Sequence, residues 1–273
     1  MNKLYILFIS AILFLAGCVD ETPLETTSNL FVISAFLYEG EPAQNIQITS
    51  TLALGSTDSV APPINDAIVY LIKNENRYLL EQNFEIPGYY KYTGSDLFIN
   101  AGDIFKIEVN YNNVIAYGET SIPDRPENLL ISDSVLAIPY ISFQDIKSGL
   151  VNPDDYSIMI NWENNDSSYY YVVLENLESV PTPIFDNVSL QRFTKSISSP
   201  SRRGDFVINP LTVSYYGRYR AVIYKVNQEY ADLYESRQQD SRNLQEPLTN
   251  IINGLGVFSA FASDTVWFNI VQK

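Results

Sequence analysis

Residues 103–111 read DIFKIEVNY, and the alternation in that stretch decides the fold class. Phe105, Ile107, Val109 and Tyr111 fall on one face, and Lys106, Glu108 and Asn110 fall on the other. That two-residue period is the pattern of a strand with one side buried. Asn112-Asn113 follows, and because asparagine tolerates positive φ, a tight turn is predicted there, with VIAYGETSIP (114–123) returning as the hairpin partner.

Working outward, NLFVISAFLY (29–38), QNIQITS (44–50), AIVYLIKN (67–74) and NRYLLEQN (76–83) read as further strands, the last two antiparallel to each other. LALGSTDSVAPPIND (52–66) is loop-like. Pro123, Asp124, Arg125 and Pro126 break pairing and mark a domain boundary. Beyond it, YSIMINWEN (156–164) places Ile158, Ile160 and Trp162 on one face, while YYYVVLENL (169–177) is apolar on both faces, as a central strand is. Residues 178–205, with Pro181, Pro183 and Pro200, are expected to form a long loop. LTVSYYGRYRAVIYKV (211–226) is strand-rich again. In NQEYADLYESR (227–237) the period switches: Tyr230, Leu233, Tyr234 and Arg237 take helical spacing behind an Asn227 cap. NIINGLGVFSAFASDTVWFNI (250–270) is expected to contain a glycine turn, a strand, a short turn at Ser263-Asp264 and a last strand. The expected fold is all-β: two β-sandwich domains in tandem, over 29–124 and 127–273, with a short helix near 228–237 in the second.

The first residues carry a targeting pattern. Lys3 precedes an apolar run of about 13 residues, too short for the roughly 20 that span a bilayer and suited to a secretory signal. Leu15-Ala16-Gly17-Cys18 resembles the bacterial lipobox, which implies that residues 1–17 are a cleaved signal peptide, that Cys18 is the acylated first residue of the mature chain, and that 18–28 form a lipidated tether. Lipid chains contribute about 0.8 kcal/mol per buried methylene, so two or three hold a soluble domain on a membrane. Asp20 and Glu21 are similar to the acidic export signal of surface lipoproteins of the Bacteroidota, with Val19 where that signal has serine or lysine.

Composition excludes several functions. The chain has 17 basic and 32 acidic residues, a formal charge of −15; loss of Lys3 with the signal makes it −16. Nucleic-acid binding needs a positive face that displaces phosphate counterions, so no nucleic-acid partner is expected. With no histidine there is no Ser-His-Asp or Cys-His catalysis and no histidine-bound zinc. Cys18 is the only cysteine, so once acylated it leaves no thiol for disulfides or thiolate metal sites. No residue pair stands out as the two carboxylates of a hydrolase. The expectation is a non-enzyme without catalytic residues, cofactor or metal.

PINDAIVYLIKN (63–74), PGYYKY (87–92) and AGDIFKIEVNY (101–111) resemble the transthyretin-like or carboxypeptidase-regulatory β-sandwich. IMINWENND (158–166), YYYVVLENL and GRYRAVIYKVNQEYADLY (217–234) resemble a fibronectin type III-related sandwich with a helical insertion. With the lipobox and NIINGLGVFSAF (250–261), this order resembles a Bacteroidota outer-membrane lipoprotein family known only as a domain of unknown function. The resemblance implies an outer-membrane protein held by its lipid anchor, displayed at the cell surface and accessory to a TonB-dependent receptor in nutrient uptake; it carries no catalytic residues. The alternative is a stand-alone glycan- or peptide-binding surface module.

Few side chains single themselves out as sites. Trp162 shares its face with Ile158 and Ile160 and is assigned to the core, whereas Trp267, in the terminal DTVWFNI, is the candidate for stacking on a ligand. Asp154-Asp155 and Asn164-Asn165-Asp166 offer oxygen ligands but lack the spacing of a calcium loop and suit turns. Ser59, Ser134 and Thr265 sit in the Asp-Ser/Thr-apolar pattern that resembles the general O-glycosylation site of the Bacteroidota. The loops of the second domain, above all 178–205, are the expected contact surface.

Overall fold

The computed structural model describes residues 30–52, 57, 60–186, 194–237 and 248–273. Residues 1–17, the tether 18–28 with Cys18, Asp20 and Glu21, and Ser59 lie outside the described residues.

The fold is all-β, as the alternation predicts, and is built as two sandwiches. In the first, β1 (Phe31–Tyr38) pairs antiparallel with β2 (Asn45–Ser50), which pairs with the short β5 (Tyr89–Lys91). At the corner β5 pairs with β4 (Asn76–Gln82), and the order continues through β3 (Ile68–Lys73), β6 (Ile104–Tyr111) and β7 (Val114–Ser121). The sheet thus folds over on itself. Phe31, Ile33, Ala35 and Leu37 of β1 meet Val69, Leu71, Phe105, Ile107 and Val109 from the facing strands, all essentially without exposure. Burial alternates strictly along β1, and the residues predicted to be inward in β6 are buried, apart from Tyr111 at its end. Asn112 and Asn113 both have positive φ, 49° and 62°, and form the expected tight turn.

The second sandwich places β8 (Glu127–Ile131), β10 (Ile158–Glu163) and β13 (Asp205–Ile208) against a sheet of β12 (Lys195–Ile197), β11 (Tyr169–Asn176), β14 (Gly217–Val226), the end of β16 (Leu255–Gln272) and β9 (Val135–Ile138). Trp162 lies in this core, 7 % exposed, among Ile160, Tyr170 and Phe268. Helix α1 (Phe143–Ser148) and a 3₁₀ turn (Pro153–Asp155) connect strands here. Helix α2 (Gln228–Arg237) occupies the span predicted for it. The Asn227 side chain, however, donates to Thr120 Oγ1 at 2.9 Å and to the Ser121 carbonyl at 2.7 Å, tying the start of the helix to β7.

Two expectations need correction. No turn interrupts residues 263–264: β16 runs unbroken for 18 residues. Its first part pairs parallel with β1, Val32 opposite Leu255 through Tyr38 opposite Phe261; its second part pairs antiparallel with β14, Val226 opposite Phe261 through Gly217 opposite Ile270. Serine and aspartate favour turns only when the backbone has no better partner, and here β14 supplies one, Tyr224 opposite Ser263 and Ile223 opposite Asp264. The second correction concerns the extent of the C-terminal domain. Ile251, Phe258 and Ala260 are buried in the first core with Phe31, so residues 251–260 do not belong to the second sandwich. Strand β15 (Ile251–Ile252) pairs with β7, and after Asn253-Gly254 the chain enters β16 beside β1. Residues 251–260 therefore close the first sandwich, and the end of β16 then returns to the second, so the two sandwiches are interleaved along the chain.

Candidate functional site

The two-residue period of β16 carries through both sandwiches. Phe258 and Ala260 face the first core; Phe268 and Ile270 face the second. The odd-numbered side chains lie on the opposite side. There Phe261 is covered by Tyr230 of α2, with ring centroids 4.8 Å apart. Tyr38 and Tyr171 complete an aromatic cluster at this junction, Tyr38 stacked on Phe261 at 4.9 Å. Burial pushes the Tyr38 hydroxyl up to about 12 and the Tyr171 hydroxyl further, so both are neutral hydrogen-bonding groups at any physiological pH.

Farther along, the same side of the sheet is open. Trp267 is 59 % exposed, and its indole stacks on no other described ring. Register places Arg220 opposite Trp267, Glu175 opposite Arg220, and Lys195 opposite Glu175, a row running across four strands. The Arg220 guanidinium donates to the Glu175 carboxylate through Nη2. Its Nε is shielded from solvent and has no partner among the described residues. Arg218, one pair along, donates its backbone N–H to Glu178 Oε1 at 3.0 Å, with its guanidinium 3.6 Å from the same oxygen. Arg220 and Arg218 of the neighbouring strand, each held by a carboxylate, thus lie beside an exposed tryptophan on a chain of net charge −15, and Lys195 ends the row three strands away. Tryptophan and arginine are among the residue types that dominate the energetics of protein interfaces, tryptophan through a large rigid ring and arginine through a planar guanidinium with several donors. Alternation alone could have placed Arg220 on the face of Trp267; the strand pairing that makes them neighbours is not local in the sequence.

The other sequence candidates fall as follows. Ser134 is exposed just before β9, and its carbonyl accepts from Asn269 N–H at 2.8 Å, which brings it to the margin of the Trp267 face. Thr265 is half-buried in mid-strand opposite Val222, not at a turn as expected. The 178–205 segment is a projecting loop only in part. Ile184 and Phe185 are buried in the second core, Ile184 N–H bonds the Ser214 carbonyl at 2.9 Å, and β12 pairs with β11. Residues 187–193 lie outside the described residues. Asn152 caps the turn that contains Asp154. Asn164 bonds both the N–H and the carbonyl of Ser168. Lys225, 2.8 Å from Asp166, holds that carboxyl down at about 2. These polar residues build turns, and among the described residues no group of three His, Cys, Asp or Glu could hold a metal ion.

Residues 19–266 match the family described as "Domain of unknown function (DUF4249)". The chain belongs to that family. Its matched span runs through both sandwiches and into β16, so the return of the chain to the first sandwich lies within the family's extent. No curated protein matches the chain. Matching solved structures include titin domains A168–A170, 9 % identical over 87 % of this chain and 62 % of that one, with a TM-score of 0.21. Another is the FN1–FN3 region of chicken CNTN1, 10 % identical over 71 % and 59 %, with a TM-score of 0.28. The chain spans about three-fifths of each of these structures.

Proposed function

We propose that this family member is a non-enzymatic lipoprotein of the outer membrane, anchored through Cys18, displayed at the cell surface, and accessory to a TonB-dependent transporter in nutrient uptake. The observation that carries this proposal is the open row of Trp267, Arg220, Glu175 and Lys195: an aromatic anchor on a flat sheet face rather than in a cavity. Small ligands are bound by concave sites that cover most of their surface. A flat face with one aromatic and fixed charges fits a protein surface, with the rim charges setting orientation and encounter rate. The lipobox and the acidic residues Asp20 and Glu21 support the location. The first sandwich is taken as transthyretin- or carboxypeptidase-regulatory-like and the second as fibronectin type III-like.

The test is affinity purification of the tagged native protein from membranes, alongside Trp267→Ala and Arg220→Ala. A receptor barrel that co-purifies with the native protein and is lost with Trp267→Ala supports the proposal; no barrel with the native protein overturns it. Intact mass showing an unacylated Cys18 would remove the anchor. Glycan-array binding that depends on Trp267, without any receptor, would favour the stand-alone module, for which a single exposed ring is a small platform. Exposed Ser134 is the best placed of the O-glycosylation candidates within the described residues, and peptide mass spectrometry of the native protein decides whether it is modified.

A further inference from the structure

The chain leaves the first sandwich toward Cys18 at Leu30, and the loops gathered around that point carry exposed apolar side chains. Phe31 pairs with Ser50, the last residue of β2. Ser50 N–H donates to the Pro62 carbonyl at 2.9 Å, Ile48 N–H to the Gly88 carbonyl at 2.8 Å, and Gly88 N–H to Asn65 Oδ1 at 2.7 Å. Residues 60–66 and the β4–β5 turn, 83–88, are thereby bonded to each other and to the strand end beside Leu30. Phe84 is 89 % exposed, the highest of any large apolar side chain among the described residues; Val60 is 76 % and Ile86 50 % exposed.

Phe84 is presented by a turn with a fixed backbone. Asn83 N–H donates to the Tyr89 carbonyl at 2.7 Å, Tyr89 N–H to the Ile86 carbonyl at 3.2 Å, and Glu85 N–H to Asn83 Oδ1 at 3.1 Å. Exposed apolar clusters mark contact surfaces, and the position of this one selects the contact. Cys18 to Asn29 are twelve residues, so whatever path they take, Leu30 stays within about 40 Å of an anchor at Cys18. The opposite end of the sandwich is taken. There β7 passes into the second sandwich through residues 122–126, and Arg125 bonds Glu39, just past β1, at 2.6 Å. Residues 60–66 and 83–88 hold two acids, Asp66 and Glu85, and no base, so their attraction to a surface is apolar.

We infer that the loop end formed by 60–66 and 83–88 rests on the lipid surface that holds Cys18, with Phe84 and Ile86 entering its apolar margin. The inference rests on the anchoring of Cys18 proposed above. Apolar side chains bind at the boundary between headgroups and acyl chains; this few orient a tethered body rather than hold it. One consequence concerns height. β16 starts at the same end, Leu255 beside Val32, and rises about 3.3 Å per residue, so Trp267 stands about 40 Å along the strand from the lipid end. The face offered to a partner protein is thus carried clear of the lipid.

The test couples the purified mature chain through Cys18, its only thiol, to a maleimide-bearing lipid in phosphatidylcholine vesicles, which supplies the anchor whether or not the cell acylates it. Phe84→Trp places a reporter in the turn, and circular dichroism confirms that this exposed substitution leaves the fold intact. The emission it adds is expected to shift to the blue on the vesicles and to be lost when the acyl chains carry bromine, while emission from Trp162 and Trp267 is unchanged. Anionic phosphatidylglycerol should weaken the quenching, because it repels Asp66 and Glu85. Added emission that stays unquenched, or quenching that strengthens with anionic lipid, overturns the inference. So does quenching of Trp267 in the native chain, which would lay the molecule on its side, or a Phe84→Asp variant that loses a co-purifying membrane protein, since the loops would then serve that protein. Intact mass of the native protein separates the two readings: an unacylated Cys18 overturns the anchor and the contact with it, whereas an acylated Cys18 with unquenched loops overturns the contact alone.

Discussion

Gly256 has φ at +102°, and a Cβ built there would lie 2.0 Å from the Ile33 carbonyl oxygen and 2.9 Å from Ile33 N. Both the conformation and the space demand glycine where β16 first meets β1. Gly256→Ala should cost roughly 2–4 kcal/mol in denaturant titrations. Ser259, three residues on, has a fully buried hydroxyl with no partner among the described residues. An unsatisfied buried hydroxyl opposes folding, so Ser259→Ala should be neutral or stabilising by up to about 1 kcal/mol. A clear loss of stability would reveal a partner for it. Tyr38 and Tyr216, both raised by burial to about 12, set the alkaline limit. A folded pKa above the unfolded value near 10 means the unfolded chain loses these protons first. The stabilisation is complete below pH 10 and falls as pH rises from 10 toward 12. Phenolate absorbance followed together with unfolding should show these tyrosines ionising only as the structure is lost.

At the scale of elements, the seam between β7 and β16 depends on one side chain. Asn250 Oδ1 accepts from Phe258 N–H at 2.9 Å, and Nδ2 donates to the Phe258 carbonyl at 2.7 Å and the Glu119 carbonyl at 3.3 Å. The amide thereby stands in for a strand residue between two strands. Asn250→Ala leaves buried backbone groups without partners and should lower stability by about 2–4 kcal/mol, measured by thermal or chemical unfolding. Trp267→Ala, on an open face of the same strand, should change stability by no more than about 0.5 kcal/mol. Quenching of tryptophan fluorescence should resolve an accessible population from Trp267 and a protected one from Trp162, with only the protected one left in Trp267→Ala.

The whole molecule follows from that shared strand. β16 contributes to both cores, and α2 is tied to β7 through Asn227 and through the bond between Glu229 and Thr120, 2.8 Å. Neither sandwich is complete without residues 249–270. Denaturation should therefore be a single transition by both near-ultraviolet circular dichroism and tryptophan emission. Two separated transitions would mean that the sandwiches are independent. A chain ending at residue 248 should lose native structure in both halves, read as collapsed amide dispersion in two-dimensional NMR.

Much of this architecture was legible along the chain, because strand periodicity is a local property. Residues 103–111 declare their inward side, the Asn112-Asn113 turn declares a hairpin, and the period change at 228 declares a helix. Trp162 could be assigned to the core from Ile158 and Ile160 on its own face; Trp267 is open, but on the outward side of an unbroken strand and not beside the turn expected at 264–265. Where a strand pairs is not local. NIINGLGVFSAF reads as the start of a terminal hairpin until β1, more than two hundred residues earlier, supplies its parallel partner. Ser263-Asp264 reads as a turn until β14 supplies a ladder that outweighs turn preference. The patterned strands, the all-β class and the absence of histidine and spare thiols thus belong to the sequence alone. The interleaved topology, the strand common to two cores, and the neighbours that Trp267 acquires belong to the tertiary structure, because hydrogen-bond pairing between distant segments is set by the packing of the whole core.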